Sequence, residues 1–139
     1  MSVLVVDDEP SARSTIAAIL ESEGYVTRCA ASGEEGMTLL AESSYDVVCT
    51  DYQMGTATGL DVLRFAESLP QPVCGVLVTG FREFFGHTAR AQRETNAASV
   101  AMLVKPVDPE ELLDCVRRAA RFTELRRLSR KTAPERGPS

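Results

Sequence analysis

The chain has 139 residues, of which 44% are hydrophobic and 25% are charged, a composition typical of one globular domain with a sizeable core. No apolar run approaches the roughly 20 residues of a membrane span, and no basic segment precedes the first apolar run, so we expect a cytoplasmic protein without a signal peptide. The net charge is −5, but residues 117–139 carry eight Lys or Arg against two Glu. The acidic remainder disfavours nucleic-acid binding, whereas the basic end is either a solvated helix face or a contact for acidic partners.

Short apolar runs alternate along the chain with segments of helical character. The apolar runs are almost continuously hydrophobic, which is typical of strands that are covered on both faces of a parallel sheet. Five of them are predicted strands: Val3–Val6, Tyr25–Cys29, Asp46–Thr50, Val73–Thr79 and Val100–Val104.

The intervening segments carry signals for the ends of helices. Pro10 suits the first turn of helix 1 and Gly24 ends it, while the stretches SGEE at 32–35 and DPEE at 108–111 are typical of helix starts. Apolar stripes mark two helices: Leu60, Leu63 and Ala66 on the third, and Leu112, Leu113, Val116 and Ala120 on the last. The fourth helix, within residues 80–98, is the least clear. The alternation of strands and helices predicts a doubly wound α/β fold.

The four cysteines lack the spacing of a metal site or a redox motif. Cys29, Cys49, Cys74 and Cys115 form no CxxC pair, and no His lies at ligand spacing from them. Three lie in apolar strand-like runs. We expect reduced, buried thiols and neither a disulfide framework nor a zinc site.

Polar residues lie at the carboxyl ends of four of the five predicted strands. Asp7 and Asp8 follow the first strand, Asp51 follows the third, Thr79 is the last residue of the fourth, and Lys105 follows the fifth. Ligands of parallel α/β sheets bind beyond the carboxyl ends of the strands. Carboxylates without His or Cys suit Mg²⁺, and a hydroxyl and an ammonium group beside the metal complete a receptor for phosphate. A neighbouring carboxylate is then a candidate nucleophile.

Each of these residues has a simpler interpretation when it is taken alone. Asp7 and Asp8 suit a helix N-terminus, Asp51 suits a turn after a strand, and Lys105 suits a solvated position. All of these explanations together are improbable. Two other classes of protein stay open: a metal-dependent phosphohydrolase of the haloacid dehalogenase type, and an interaction module that works without phosphorylation.

The sequence resembles the receiver domain of two-component response regulators over roughly residues 1–125. The matching stretches are VVDDEP, VVCTDYQMGTATGLDVL, VLVTG and MLVKP, in the family's order. The resemblance implies a flavodoxin-like fold, a five-stranded parallel sheet of order 2-1-3-4-5 with helices on both faces. We assign residues 1–125 to the receiver, and residues 126–139 to a basic extension of the last helix followed by a disordered tail from Ser129.

By position, the resemblance also implies the roles of the site residues. Asp51 is the expected phosphoacceptor. Mg²⁺ is the expected cofactor, held by Asp7, Asp8, Asp51 and the backbone carbonyl of Gln53. The hydrolase is less favoured, since such enzymes carry a DxD pattern after the first strand and a cap domain.

The remaining roles concern the phosphoryl group and the response to it. Thr79 is expected to bind a phosphoryl oxygen and to move on phosphorylation, and Lys105 to pair with the phosphate, with a cis bond to Pro106. The expected partners are a sensor histidine kinase or histidine phosphotransfer protein, and a downstream protein target or effector domain. Homodimerisation through the fourth helix, fifth strand and last helix is a further expectation. The receiver is a signalling domain that assists its own modification, not a turnover enzyme.

The sequence departs from the family pattern around the third loop. Met54 is followed by Gly55 where Pro is usual, and Thr58 replaces a common acid, although Gly59 is kept. These changes predict a more flexible loop.

Further departures concern the switch. Met102 replaces the usual aromatic residue, either as an adaptable switch residue or as a substituted core residue. The stretch from Thr79 to Lys105 is longer than usual and contains Phe81, Phe84, Phe85 and His87. Phe81, at the edge of the site, is a candidate to shield the phosphoryl group from water. We expect His87 to be a solvated loop residue.

Overall fold

The computed structural model describes residues 1–55, 57–80 and 101–132. They form one parallel sheet with strand order β2-β1-β3-β4-β5 and helices on both faces, which confirms the predicted doubly wound fold. The strands are β1 (Ser2–Val6), β2 (Val26–Ala30), β3 (Val47–Asp51), β4 (Cys74–Thr79) and β5 (Ala101–Val104), and the described helices are α1 (Pro10–Ser22), α2 (Gly33–Glu42), α3 (Gly59–Ser68) and α4 (Pro109–Thr132). Each observed strand begins and ends within one residue of its predicted limits.

The alternation of side chains along the strands builds a separate core on each face of the sheet. On β1, Val3 and Val5 pack with α1 and α4, whereas Leu4 and Val6 pack with α2 and α3. All four are almost completely buried. Burial of each such side chain stabilises the folded state by roughly 1.5–3 kcal/mol. Successive side chains of a strand point to opposite faces of the sheet. A sheet that is covered on both faces therefore buries all of them, which explains the continuous apolar run of β1.

The predicted helix ends are confirmed where the structure describes them. Gly24 follows α1 with φ of +89°, a conformation that L side chains rarely adopt. The Ser32 hydroxyl accepts from the backbone N–H of Glu35 at the start of α2. At the start of α4, Asp108 accepts from the backbone N–H of Glu111.

The last helix is longer than we predicted. It continues to Thr132, so the expectation of disorder from Ser129 is wrong for residues 129–132. No helix-breaking residue occurs before Pro134, and a proline disfavours the helical conformation in the residue before it, here Ala133. The sequence therefore favours helix over the four residues that we expected to be disordered.

The extension of this helix packs against the body of the domain. The buried Thr123 hydroxyl accepts from the backbone N–H of Cys74 at 2.9 Å. One turn further, Arg127 donates to the carbonyl of Tyr45 at 2.6 Å and lies 3.3 Å from Asp46. The neighbouring Arg126 pairs with Glu67 on α3.

The cysteines are free thiols, as expected, but not all of them are buried. Cys49, Cys74 and Cys115 are buried, whereas Cys29 is exposed, which corrects its predicted burial. Cys29 lies on β2, which among the described strands pairs with β1 alone and forms the edge of the sheet. An edge strand is covered on fewer sides than a central one.

Some predictions concern residues that the structure does not describe. The fourth helix, Phe81, Phe84, Phe85 and His87 lie outside the described residues, as does the end of the tail. In the described ranges, no helix has the length and apolar character needed to span a bilayer.

Candidate functional site

The sheet register brings the polar residues at the strand ends to one edge. Asp51 is the last residue of β3 and lies opposite Val78 of β4. Thr79 ends β4, and its carbonyl accepts from the backbone N–H of Lys105 at 2.8 Å, directly after β5. Asp7 follows β1. The predicted site residues are therefore neighbours in space because their strands are neighbours in the sheet.

Three carboxylates form the centre of this edge. Asp7, Asp8 and Asp51 each offer an oxygen atom within 4.8 Å of the others. Asp7 is 1% exposed and Asp51 is 7% exposed, whereas Asp8 is exposed. Like charges at this spacing repel one another, and burial weakens the screening by water. The cluster thus favours a cation.

Lys105 supplies one positive charge to the cluster. Its Nζ lies 3.3 Å from Asp7 Oδ2 and 3.5 Å from Asp51 Oδ1. Partial burial lowers the pKa of Lys105, but the attraction of Asp51 and Asp7 outweighs it, so that the pKa is raised. Lys105 is therefore a stable ammonium group at neutral pH.

One ammonium group does not compensate for three carboxylates. Burial, and then the charge of Asp7, raise the pKa of Asp51 from 3.8 to about 6, although Lys105 opposes the change. A divalent cation would favour ionised Asp51, and a set of ligands made only of oxygen suits Mg²⁺. Asp7, Asp8 and Asp51 fit that ion, with the carbonyl of exposed Gln53 in the loop after β3 as a candidate further ligand.

The backbone around Asp7 is held by several hydrogen bonds. The Asp7 N–H donates to the carbonyl of Ala30 at 3.1 Å. Its Oδ1 accepts from the backbone N–H of Glu9 at 2.9 Å, and its carbonyl accepts from Arg13 Nη1 at 2.8 Å. Our sequence analysis did not include Arg13, because a contact six residues back along the chain follows no helical or strand period.

Helix α3 begins directly against Asp51. A Cβ on Gly59 would lie 2.2 Å from the Asp51 carbonyl oxygen, so only glycine fits there. Thr58 and Asp61 cap the helix reciprocally: the Thr58 hydroxyl accepts from the Asp61 N–H, and the Asp61 carboxylate accepts from the Thr58 N–H. We missed this capping box, although its signal, Thr followed three residues later by an acid, is present in the sequence.

Thr79 is the last residue of β4, Met102 lies within β5, and Pro106 directly follows Lys105, as the sequence predicts. The Thr79 side chain is fully buried, and its hydroxyl donates to the carbonyl of Gly80 at 3.4 Å. Met102 is half-buried against the core on the α2 and α3 face, which favours the interpretation as a substituted core residue. The predicted cis bond between Lys105 and Pro106 is confirmed.

The sequence model of the family described as "Response regulator receiver domain" matches residues 3–117. The chain therefore belongs to the response regulator receiver domain family, a class of signalling domains, as its motifs suggested. The match ends within α4, so the basic second half of this helix lies outside it.

Individual relatives agree with this assignment. The chain is 31% identical over 142 residues to the positive alginate biosynthesis regulatory protein of Pseudomonas aeruginosa, with 100% of this chain and 55% of the relative covered. It is 30% identical over 136 residues to the response regulator MprA of Mycobacterium sp. strain KMS, with 98% and 54% covered. The chain thus spans about half the length of these curated relatives.

A solved structure has the same fold. A response regulator receiver domain protein from Clostridium thermocellum superposes with a TM-score of 0.77 at 28% identity, and the match covers 89% of this chain and 97% of that one. The CheY-like receiver domain protein from Methanospirillum hungatei JF-1 gives a TM-score of 0.76 at 25% identity, with 89% and 96% covered.

Proposed function

We propose that Asp51 accepts a phosphoryl group from the phosphohistidine of a sensor histidine kinase or of a histidine phosphotransfer protein. The observation that carries the proposal is the convergence of three carboxylates and one ammonium group at the carboxyl edge of the sheet. The family match supports it, because receivers are signalling domains and not classical enzymes.

The reaction is an in-line displacement at phosphorus. A carboxylate oxygen of Asp51 attacks the phosphorus atom and forms a P–O bond, while the P–N bond to the donor imidazole breaks and its electron pair stays on the nitrogen. With a pKa of about 6, Asp51 is mostly ionised at pH 7 and has the lone pair that attack requires. The Lys105 ammonium group, 3.5 Å from Asp51, offsets charge on the transferring phosphoryl oxygens.

The cofactor of the proposal is Mg²⁺. When bound, it neutralises charge on the phosphoryl oxygens and on the carboxylates. Asp7, Asp8 and Asp51 would hold it together with the backbone carbonyl of Gln53. Asp7 also keeps Lys105 in place through their ion pair.

The proposed output is a switched protein-interaction surface. The acyl phosphate on Asp51 would draw the Thr79 hydroxyl toward it and bias a surface around β5 and α4 between two states. Met102, a half-buried residue of β5, would repack in place of an aromatic residue. The proposed setting is the cytoplasm, and the proposed downstream partner is a protein target or effector domain. Two copies would pair through the same surface. The receiver itself would contact neither nucleic acid nor a membrane. Residues 1–125 would form the receiver and residues 126–139 its extension.

Met102 also favours a second candidate function. A receiver-like module that signals by binding alone would not need an aromatic switch residue. Such a module would bind its target equally well whether or not Asp51 carries a phosphoryl group. The two functions therefore differ in whether the protein becomes phosphorylated.

Phosphoramidate tests the proposed chemistry, because its P–N bond resembles that of phosphohistidine. We expect Mg²⁺-dependent phosphorylation of the protein, seen as a slower band on a phosphate-affinity gel. Lys105→Met should slow it by about 100-fold, through loss of the charge that offsets the transition state. Asp114→Asn is the matched control, since Asp114 is an exposed carboxylate paired only with Arg117 among the described residues. Equal rates for Lys105→Met and the wild type would contradict the role of Lys105.

A further inference from the structure

We propose that Arg13 is a positioning residue for the metal site: its guanidinium group fixes the peptide that joins Asp7 to Asp8 and thereby directs the Asp8 carboxylate. The inference rests on the proposed function, since it assigns a role to Arg13 in the same Mg²⁺ site.

The contact joins the first turn of α1 to the end of β1. Arg13 Nη1 lies 2.8 Å from the carbonyl oxygen of Asp7, a short and charge-assisted hydrogen bond. This carbonyl belongs to the peptide whose N–H is that of Asp8. Because a peptide is planar, a bond that holds the carbonyl also holds the direction in which the chain enters Asp8.

Asp7 and Asp8 differ in how their side chains are held. The Asp7 carboxylate accepts from the Glu9 N–H at 2.9 Å and lies 3.3 Å from Lys105 Nζ. In the described part of the chain, no group hydrogen-bonds to the exposed Asp8 carboxylate, although one of its oxygens belongs to the cluster of three acids. The backbone alone therefore directs Asp8. The Asp7 carboxylate holds the peptide that leaves Asp8, through the N–H of Glu9, and Arg13 holds the peptide that enters it.

The stability of α1 does not account for the placement of Arg13. The helix begins at Pro10, and its first turn contains no acidic residue. A positive charge beside a helix N-terminus meets the positive end of the helix dipole, which is unfavourable. The half-buried Arg13 side chain nevertheless extends past the start of the helix to the backbone carbonyl of Asp7, the residue that precedes Asp8 in the acidic cluster. The position suits the acidic site and not the helix.

Calorimetric titration of the whole chain with MgCl₂ tests the inference. Arg13→Met should raise the Kd for Mg²⁺ by about tenfold, as for other groups that orient metal ligands from outside the ligand shell. Arg13→Lys keeps a charged donor and should stay within about threefold of the wild type. Arg117→Met is the matched control, because Arg117 is an exposed arginine on α4 whose ion pairs lie away from the site.

A second measurement separates positioning from a purely structural effect. Phosphorylation by acetyl phosphate should need about tenfold more Mg²⁺ for its half-maximal rate in Arg13→Met, while the rate at saturating Mg²⁺ stays near that of the wild type. If Arg13→Met does not fold, Arg13→Gln replaces it, since its shorter amide does not reach the carbonyl.

The outcomes distinguish the inference from the proposed function. A wild-type protein that binds Mg²⁺, an Asp8→Asn variant that does not, and an Arg13→Met variant within twofold of the wild type would overturn the role of Arg13 alone. A wild type that does not bind Mg²⁺ would overturn both proposals.

Discussion

Replacing Asp51 by asparagine is expected to stabilise the protein when divalent cations are absent, and to do so only above about pH 4. The asparagine side chain is a neutral isostere of the protonated carboxyl group. The structure holds the ionised Asp51 carboxylate in a buried position beside Asp7, and Lys105 compensates only in part. Removing the charge removes that cost.

The pKa of Asp51 sets the magnitude and the pH window. The folded protein holds the Asp51 proton up to about pH 6, whereas the unfolded chain releases it near 3.8. Between these values the folded state binds more protons, so the stability of the wild type falls as the pH rises. At about 1.4 kcal/mol per pH unit, the loss reaches up to about 3 kcal/mol above pH 6. The attraction of Lys105 is already included in this value.

Urea unfolding in EDTA, followed by circular dichroism at pH 4 and pH 7.5, measures the effect. The free energies of unfolding of the two proteins should be similar at pH 4, and Asp51→Asn should exceed the wild type by up to about 3 kcal/mol at pH 7.5. Adding Mg²⁺ should reduce the difference, because the ion stabilises the protein that binds it. A variant that is equally or less stable at pH 7.5 in EDTA would refute the reasoning from charge burial.

Two further predictions concern packing and anchoring. Gly59→Ala should lower the free energy of unfolding by at least about 3 kcal/mol, because the added Cβ would overlap a backbone carbonyl. Gly55→Ala is the control, since a Cβ at Gly55 would have no heavy atom within 4 Å. It should change the free energy of unfolding by less than about 0.5 kcal/mol in the same urea titration. Arg127→Ala should cost about 1–3 kcal/mol through its lost hydrogen bonds, whereas Arg117→Ala should cost less than about 0.5 kcal/mol. Equal losses within either pair would contradict the corresponding contact.

The sequence predicts the fold and the positions of the site residues well, for a physical reason. The buried strands are mostly apolar, so the polar residues at their carboxyl ends mark where they end. Asp7, Asp51, Thr79 and Lys105 were located in this way. Parallel strands then bring those ends to one edge of the sheet, whatever the details of the helices.

Other features depend on contacts that no local pattern encodes. The exposure of Cys29 follows from the place of β2 at the edge of the sheet, which depends on the order of the strands and not on the sequence of β2 alone. The contact of Arg127 with Tyr45 joins residues 82 positions apart. The bond of Arg13 to Asp7 depends on one long side chain that folds back past a helix start. Each needs the assembled fold before it becomes visible.

The most direct test of the account is the intact mass of the protein after incubation with Mg²⁺ and acetyl phosphate, beside Asp51→Asn. We expect a single phosphoryl addition to the wild type, and none to the variant or in EDTA. An unmodified wild type, under conditions that label a known receiver, would contradict the assignment of Asp51 as phosphoacceptor and favour a module that signals by binding alone.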